Sequence, residues 1–293
     1  FCVNFGENLS YTKFNSKFSM NINCKGQLLD LSTPKVMGIL NLTPDSFYDG
    51  GKYSTPKTVL EQTERMLKEG ATFIDVGAYS SRPDAQHITE EEELNRIVPI
   101  IELLLKEFPE ILLSIDTFRS KVAQETVNAG AAIINDISGG SLDEQMFETV
   151  ANLQVPYILM HMKGTPQTMK NENSYQHMLQ EIIFYFSEKV AQLRELKLND
   201  IIIDPGFGFA KDTAQNFELM NHLSELNALE LPMLVGISRK SMIYKTLDLQ
   251  PQEALNGTTF LNTVSLLAGT KILRVHDVKE AVECVKLYEQ LKN

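Results

Sequence analysis

The apolar residues of this chain gather into eight short runs, and each run ends at or beside a polar residue able to do chemistry. VMGILN closes on Asn41, FIDVG contains Asp75, ILLSID closes on Asp116, and AAIIND supplies Asn135 and Asp136. YILMH carries His161, IIIDPG carries Asp204, LVGISRK carries Ser238 and Lys240, and ILRVHD carries Arg274 and His276. Consecutive β-branched and aliphatic residues suit parallel strands buried on both faces. Between runs lies enough chain for one helix and two loops. The pattern predicts an α/β fold, a (β/α)8 TIM barrel with its site where the strands end.

Punctuation residues place the other elements. INCKGQLLDLS reads as an N-terminal β-hairpin around Lys25-Gly26, placed to cap the barrel bottom. The first barrel strand follows at about 36–41, and NLTPDSFYDGGKYS is too long for a simple connection, which marks it as functional. Helices are expected from Pro56 to Gly70, from TEEEELNR onward, and from TFRSKV to the glycine of VNAG. Further helices are expected over LDEQMFETVANL, up to about 197, near 213–227, up to Ala268-Gly269, and over VKEAVECVKLYEQLK.

Composition narrows the class. Of 293 residues 43% are hydrophobic, enough for a large core, and a barrel of this kind takes about 250 residues. Residues 20–293 therefore read as one catalytic domain. Residues 1–19 read as an N-terminal extension, non-native or disordered, with Met20 as an alternative start; they lack the apolar core of a signal peptide. A net charge of -11 speaks against a nucleic-acid or anionic-membrane binder. No apolar run approaches the roughly 18 residues of a membrane span. Cys2, Cys24 and Cys284 form no metal spacing, and their odd, scattered count fits a reducing cytoplasm.

Two groups of residues carry candidate chemistry. Loops after strands seven and eight of such a barrel often bind phosphate, and here they hold Ser238, Arg239, Lys240 and Ser241, then Arg274 and His276. Arg274 and His276 share one strand face by the two-residue period. The competing reading makes SRKS a solvated helix start and pairs Arg274 with a buried acid. The second group is Asp75, Asp116 and Asp204 with Asn135, which together could bind a metal, move protons or hydrogen-bond a polar heterocycle. Taken singly, Asp116 or Asp136 could be only a helix cap. His161, between two methionines, reads as a packed or orienting residue. Strand one ends in Asn41 rather than in the HxH of barrel metallohydrolases. In GFGFAK the glycines allow close backbone approach, and Phe207 and Phe209 are available to stack on a ring.

In order along the chain, MGILNLTPDSFYDGG, SIDTFRSKVA, INDISGG, MHMKGTPQTM, IIIDPGFGFAK, GISRKS and RVHDV resemble the dihydropteroate synthase family, from about residue 20 to the C-terminus. The resemblance implies a transferase of folate biosynthesis. It would join 6-hydroxymethyl-7,8-dihydropterin diphosphate to 4-aminobenzoate, giving 7,8-dihydropteroate and diphosphate. It implies that Asp116, Asn135, Asp204 and Lys240 bind the pterin, with Asp75 near them. Arg274 and His276 would hold the diphosphate, with Arg82 contributing and Asn41 helping to place Mg²⁺. The loop carrying Asp45 and Phe47 and the loop carrying Ser81 would close over 4-aminobenzoate, near Ser238 and Phe209. Many relatives read GESTRPGA where this chain reads GAYSSRPDA, so Tyr79 replaces an acid and Asp84 a glycine. Asp84 is thereby expected to alter the response to sulfonamides, which mimic 4-aminobenzoate. The family also implies a homodimer through late helices. The rivals are a pterin-binding methyltransferase barrel, which would not need the TPDSF loop or the RVH pair, and a non-catalytic pterin-binding barrel.

Overall fold

Strand β3 (Lys35–Asn41) opens a parallel barrel that alternates with helices to the end of the chain. The computed structural model describes residues 20–42, 56–79 and 87–292. The expected extension 1–19, together with Asp45, Phe47, Ser81, Arg82 and Asp84, lies outside them. The barrel strands continue as β4 (Phe73–Gly77), β5 (Leu112–Asp116), β6 (Ile133–Asp136), β7 (Tyr157–Met160), β8 (Ile201–Asp204), β9 (Leu234–Val235) and β10 (Ile272–Val275). They pair in parallel in the order β8-β7-β6-β5-β4-β3-β10-β9. A parallel bridge between Ile203 and Met233 joins the two ends, so the barrel closes.

Its bottom is plugged as expected. Strands β1 (Asn21–Cys24) and β2 (Gln27–Asp30) pair antiparallel around Lys25 and Gly26. Both turn residues have positive φ, 54° and 81°, which suits the right-handed twist of a two-residue hairpin. Ile22, Cys24 and Leu31 pack there against Met37, Phe73, Ile133, Ile158, Ile202, Leu234 and Ile272. These barrel residues occupy alternate strand positions facing inward. The residues between them face outward into the larger core shared with the helices, which includes Ile74, Ile134, Leu159 and Ile203.

The helices are α1 (Pro56–Glu69), α2 (Glu90–Glu107), α3 (Ser120–Asn128), α4 (Met146–Leu153), α5 (Met178–Glu195), α6 (Thr213–Asn221), α7 (Ser241–Tyr244), α8 (Leu255–Leu267) and α9 (Val278–Lys292). Two differ from the sequence reading. The helix expected over 213–227 ends at Asn221, and Leu223–Leu229 winds as a 3-10 helix. The side chain of Asn227 donates to the carbonyl of Ala268, 2.8 Å away, which ties that segment to the end of α8. The helical stretch after SRKS is two helices, because Asp248 takes a left-handed φ of 54° and Pro251 starts a separate short turn. Among the described residues no helix is long and apolar enough to cross a membrane.

Candidate active site

The inward alternation that fills the barrel bottom with aliphatics turns polar near the strand ends. Asp75, Ser114 and Asn135 are buried inside, with Asp116, Asp204, Arg274 and Asn41 at or near the mouth. Strand register sets the order: Asn41 lies opposite Gly77, Gly77 opposite Asp116, and Asp116 opposite Asn135. Gly77 keeps the rim open, since a Cβ there would lie 3.3 Å from the Asp116 Cβ and 3.7 Å from the Asn41 Oδ1.

Arg274 reaches across the interior and binds two acids. Its Nε donates to Asp75 Oδ2 at 2.6 Å and its Nη2 to Asp116 Oδ2 at 2.7 Å. Asp75 has no exposed surface and also accepts from Ser114 Oγ (2.6 Å) and Asn135 Nδ2 (3.1 Å). Both its oxygens are therefore used within the protein. Asp75 is thus the buried counter-ion that positions Arg274. Pairing with a buried acid and serving an anion site are compatible here, since Nη1 of Arg274 donates to no described residue.

Three acceptors remain for a ligand. Asp116 gives one oxygen to Arg274, Asn135 gives its amide nitrogen to Asp75, and Asp204 gives Oδ1 to the Gly206 amide at 2.8 Å. The second carboxylate oxygen of Asp116 and of Asp204, and the single amide oxygen of Asn135, accept from no described residue. Lys240 lies across from them; one Nζ donor goes to the Phe207 carbonyl, and the ammonium stands 4.6 Å from the centre of the Phe209 ring. Burial pushes the Asp116 carboxyl up to about 7 against the pull of Arg274, and burial also raises Asp204 against Lys240. Burial lowers Lys240 to about 8, with Asp204 opposing. Opposite charges facing one another with unused hydrogen-bonding capacity suit a polar, planar ligand rich in N–H groups.

The loop beneath Lys240 is built by close backbone approach. Gly206 has φ of +69°, and a Cβ on it would come within 2.1 Å of the His161 carbonyl oxygen, so only glycine fits. His161 is buried and neutral, its imidazolium disfavoured by burial and by Lys211, as suits the packed or orienting residue expected. On the far side of the mouth, His276 is exposed. Its Nδ1 lies 3.0 Å from Ser238 Oγ, and its backbone N–H donates to the same oxygen.

Other polar residues separate into structural roles. Arg239, grouped above with the anion ligands, points away from the mouth. Its φ is 57°, and Nε and Nη2 make a bidentate pair with Asp277 at 3.0 and 2.5 Å. Asp136 faces outward and accepts from Tyr157 Oη (2.6 Å) and the amides of Ser138 and Gly140, so it anchors a loop. Asp116 does not cap α3, whose first amide is held by Asp143 at 2.7 Å. Arg119 is paired with buried Glu93, and Thr117 donates to the same carboxylate. Tyr79 joins three loops: Gln167 donates to its hydroxyl at 2.9 Å, His87 Nδ1 lies 3.2 Å from it, and Phe118 packs edge-on at 5.0 Å.

Known proteins resemble this chain over most of its length. Residues 37–276 match the family described as pterin binding enzyme. The dihydropteroate synthase of Escherichia coli (strain K12) is 41% identical over 92% of this chain and 96% of its own length. That of Synechocystis is 42% identical over 87% of this chain and 89% of its own. The dihydropteroate synthase of Yersinia pestis in a sulfonamide drug complex superposes with a TM-score of 0.88 at 41% identity, covering 93% of this chain and 99% of that one. The Xanthomonas albilineans enzyme with 4-aminobenzoic acid gives 0.87 at 35% identity, covering 94% and 99%. The methyltransferase and non-catalytic readings are not favoured. This chain belongs to the pterin-binding enzymes, in the dihydropteroate synthase family.

Proposed function

We propose that this enzyme condenses 6-hydroxymethyl-7,8-dihydropterin diphosphate with 4-aminobenzoate, as its relatives' name implies, releasing 7,8-dihydropteroate and diphosphate in folate biosynthesis. The observation that carries this reading is the set of unused oxygens on Asp116, Asn135 and Asp204 facing Lys240. Pterin amino and ring N–H groups donate to those oxygens, and its carbonyl accepts from Lys240. Arg274, through its unused nitrogen, and His276 hold the diphosphate, with Arg82 from the second loop. The C–O bond to diphosphate breaks as positive charge develops on the exocyclic methylene and spreads into the electron-rich ring. The aniline nitrogen then forms the new C–N bond and gives its proton to diphosphate or solvent. No protein nucleophile is required; the residues bind, orient and stabilise the departing charge.

Mg²⁺ fits as a partner of the diphosphate. The described residues hold no cluster of three or more His, Cys, Asp or Glu suited to a metal. Asn41, at the end of β3, offers one neutral oxygen at the rim, which suits an ion that keeps waters and shares substrate phosphates. When bound it neutralises leaving-group charge.

4-Aminobenzoate, and the sulfonamides that mimic it, are placed against Ser238 and Phe209, with Ser81. A homodimer through α8 and α9 is supported by large exposed apolar side chains there, including Phe260, Leu267, Leu287 and Leu291. Buried free Cys24 and Cys284 fit a cytoplasmic enzyme.

The pH profile tests the site. Below about 7 Asp116 gains a proton and loses its charge as an acceptor; above about 8 Lys240 loses its proton. The expected kcat/KM for the pterin substrate is bell-shaped with its maximum between those limbs, which belong to the coupled cluster. A flat profile from about pH 6 to 9 contradicts this assignment.

A further inference from the structure

Lys211 closes the GFGFAK motif and is buried against the loop that seats Lys240, with Asp204 near enough to act on its charge. It is 8% exposed. Its ammonium donates to the carbonyls of Gly206 and Phe209, each at 3.1 Å, and lies 3.1 Å from His161 Nδ1. Burial lowers Lys211 to about 7 against the pull of Asp204; in its charged form three ammonium donors meet three acceptors, with His161 accepting in its neutral form. The ring of His161 is itself held edge-on by Tyr185 at 4.9 Å.

The same loop holds Lys240. The Phe207 carbonyl accepts from its Nζ, the Phe209 ring stands 4.6 Å away, and Gly208 leaves its stem room, since a Cβ there would lie 3.2 Å from Cδ. Asn216 supports the loop from α6, accepting from the Gly208 amide at 2.7 Å and donating to the Lys211 carbonyl at 3.1 Å. All three groups that seat Lys240 thus lie between or on the two carbonyls that Lys211 holds.

We propose that Lys211 is a positioning residue for pterin binding: with His161 it fixes Gly206 and Phe209, and so fixes the cradle that aims Lys240 at the substrate. This rests on the reading of Lys240 as a pterin ligand. Without the Lys211 donors the Phe209 carbonyl loses its partner among the described residues and the Gly206 carbonyl keeps the Phe209 amide alone, at 3.1 Å; the loop relaxes, and Lys240 loses its aim although every ligand-contacting residue remains.

A double-mutant cycle tests it. The variants are Lys211→Met, Lys240→Met and the pair, titrated calorimetrically with 6-hydroxymethyl-7,8-dihydropterin diphosphate without 4-aminobenzoate. The expected result is a Kd about tenfold weaker for Lys211→Met in the parent, but within about twofold of Lys240→Met when added to that variant. The same loss in both backgrounds, or none in either, overturns the proposal. If Lys240→Met itself leaves the Kd unchanged, the pterin-ligand reading falls and the proposal with it. If Lys211→Met fails to fold, Lys211→Gln, which keeps a shorter donor, is carried through the same cycle and judged by the same outcomes.

Discussion

Arg274→Met is expected to lose about 3–5 kcal/mol of stability, because it leaves the buried Asp75 and its partner Asp116 without their cation. The guanidinium is what allows two carboxylates to share one barrel interior. Activity should fall by roughly two to three orders of magnitude as the diphosphate loses a charged donor. The two losses are separable. Adding Asp75→Asn to Arg274→Met removes the orphaned charge, so denaturant unfolding should recover a large part of the stability while turnover stays low. Arg274→Met with parental stability would mean that Arg274 does not hold the two acids together. Recovery of turnover in the double variant would remove Arg274 from leaving-group binding.

Asp204→Asn should have the opposite signature. Apart from accepting from the Gly206 amide at 2.8 Å, the Asp204 carboxylate makes no hydrogen bond within the described residues, and burial already disfavours its charge. The fold should therefore tolerate a neutral amide with little change in Tm. The pterin would not, because an amide nitrogen would confront its N–H donors where a carboxylate oxygen accepts. A site built to hydrogen-bond a polar group discriminates strongly once the match is broken, and kcat/KM for the pterin substrate should drop by about three orders of magnitude or more. Calorimetric titration should show the same loss in binding. Wild-type affinity in a folded Asp204→Asn protein would place the pterin elsewhere.

Most of the frame was written in the order of apolar runs. Each strand is buried on both faces, so its sequence is nearly continuous in aliphatics, and the hairpin is marked by the one dipeptide able to turn it. Alternation also separates two acids that look alike in type: Asn135 faces inward with Asp116, which leaves Asp136 facing outward to anchor a loop. That parity was available in the sequence.

Partnerships were harder to see. Glu93 sits in a run of four glutamates that reads as a solvated helix start, yet its carboxylate is buried against Arg119 across 26 residues. Arg239 and Lys240 are adjacent and alike in charge, but the left-handed backbone at Arg239 sends one to Asp277 while the other faces the mouth. Ser114 looks like an ordinary strand residue until strand register sets it beside Asp75. The breaks after Asn221 and at Asp248 come from tertiary contacts and backbone conformation that helical periodicity does not encode.

The most direct measurement is product formation by the purified protein. It is incubated with 6-hydroxymethyl-7,8-dihydropterin diphosphate, 4-aminobenzoate and Mg²⁺, with diphosphate and dihydropteroate both quantified and a chelated control alongside. The account predicts the two products in equal amounts, with turnover falling sharply when the metal is removed. Tight pterin binding without dihydropteroate, or diphosphate release without coupling to 4-aminobenzoate, would contradict it.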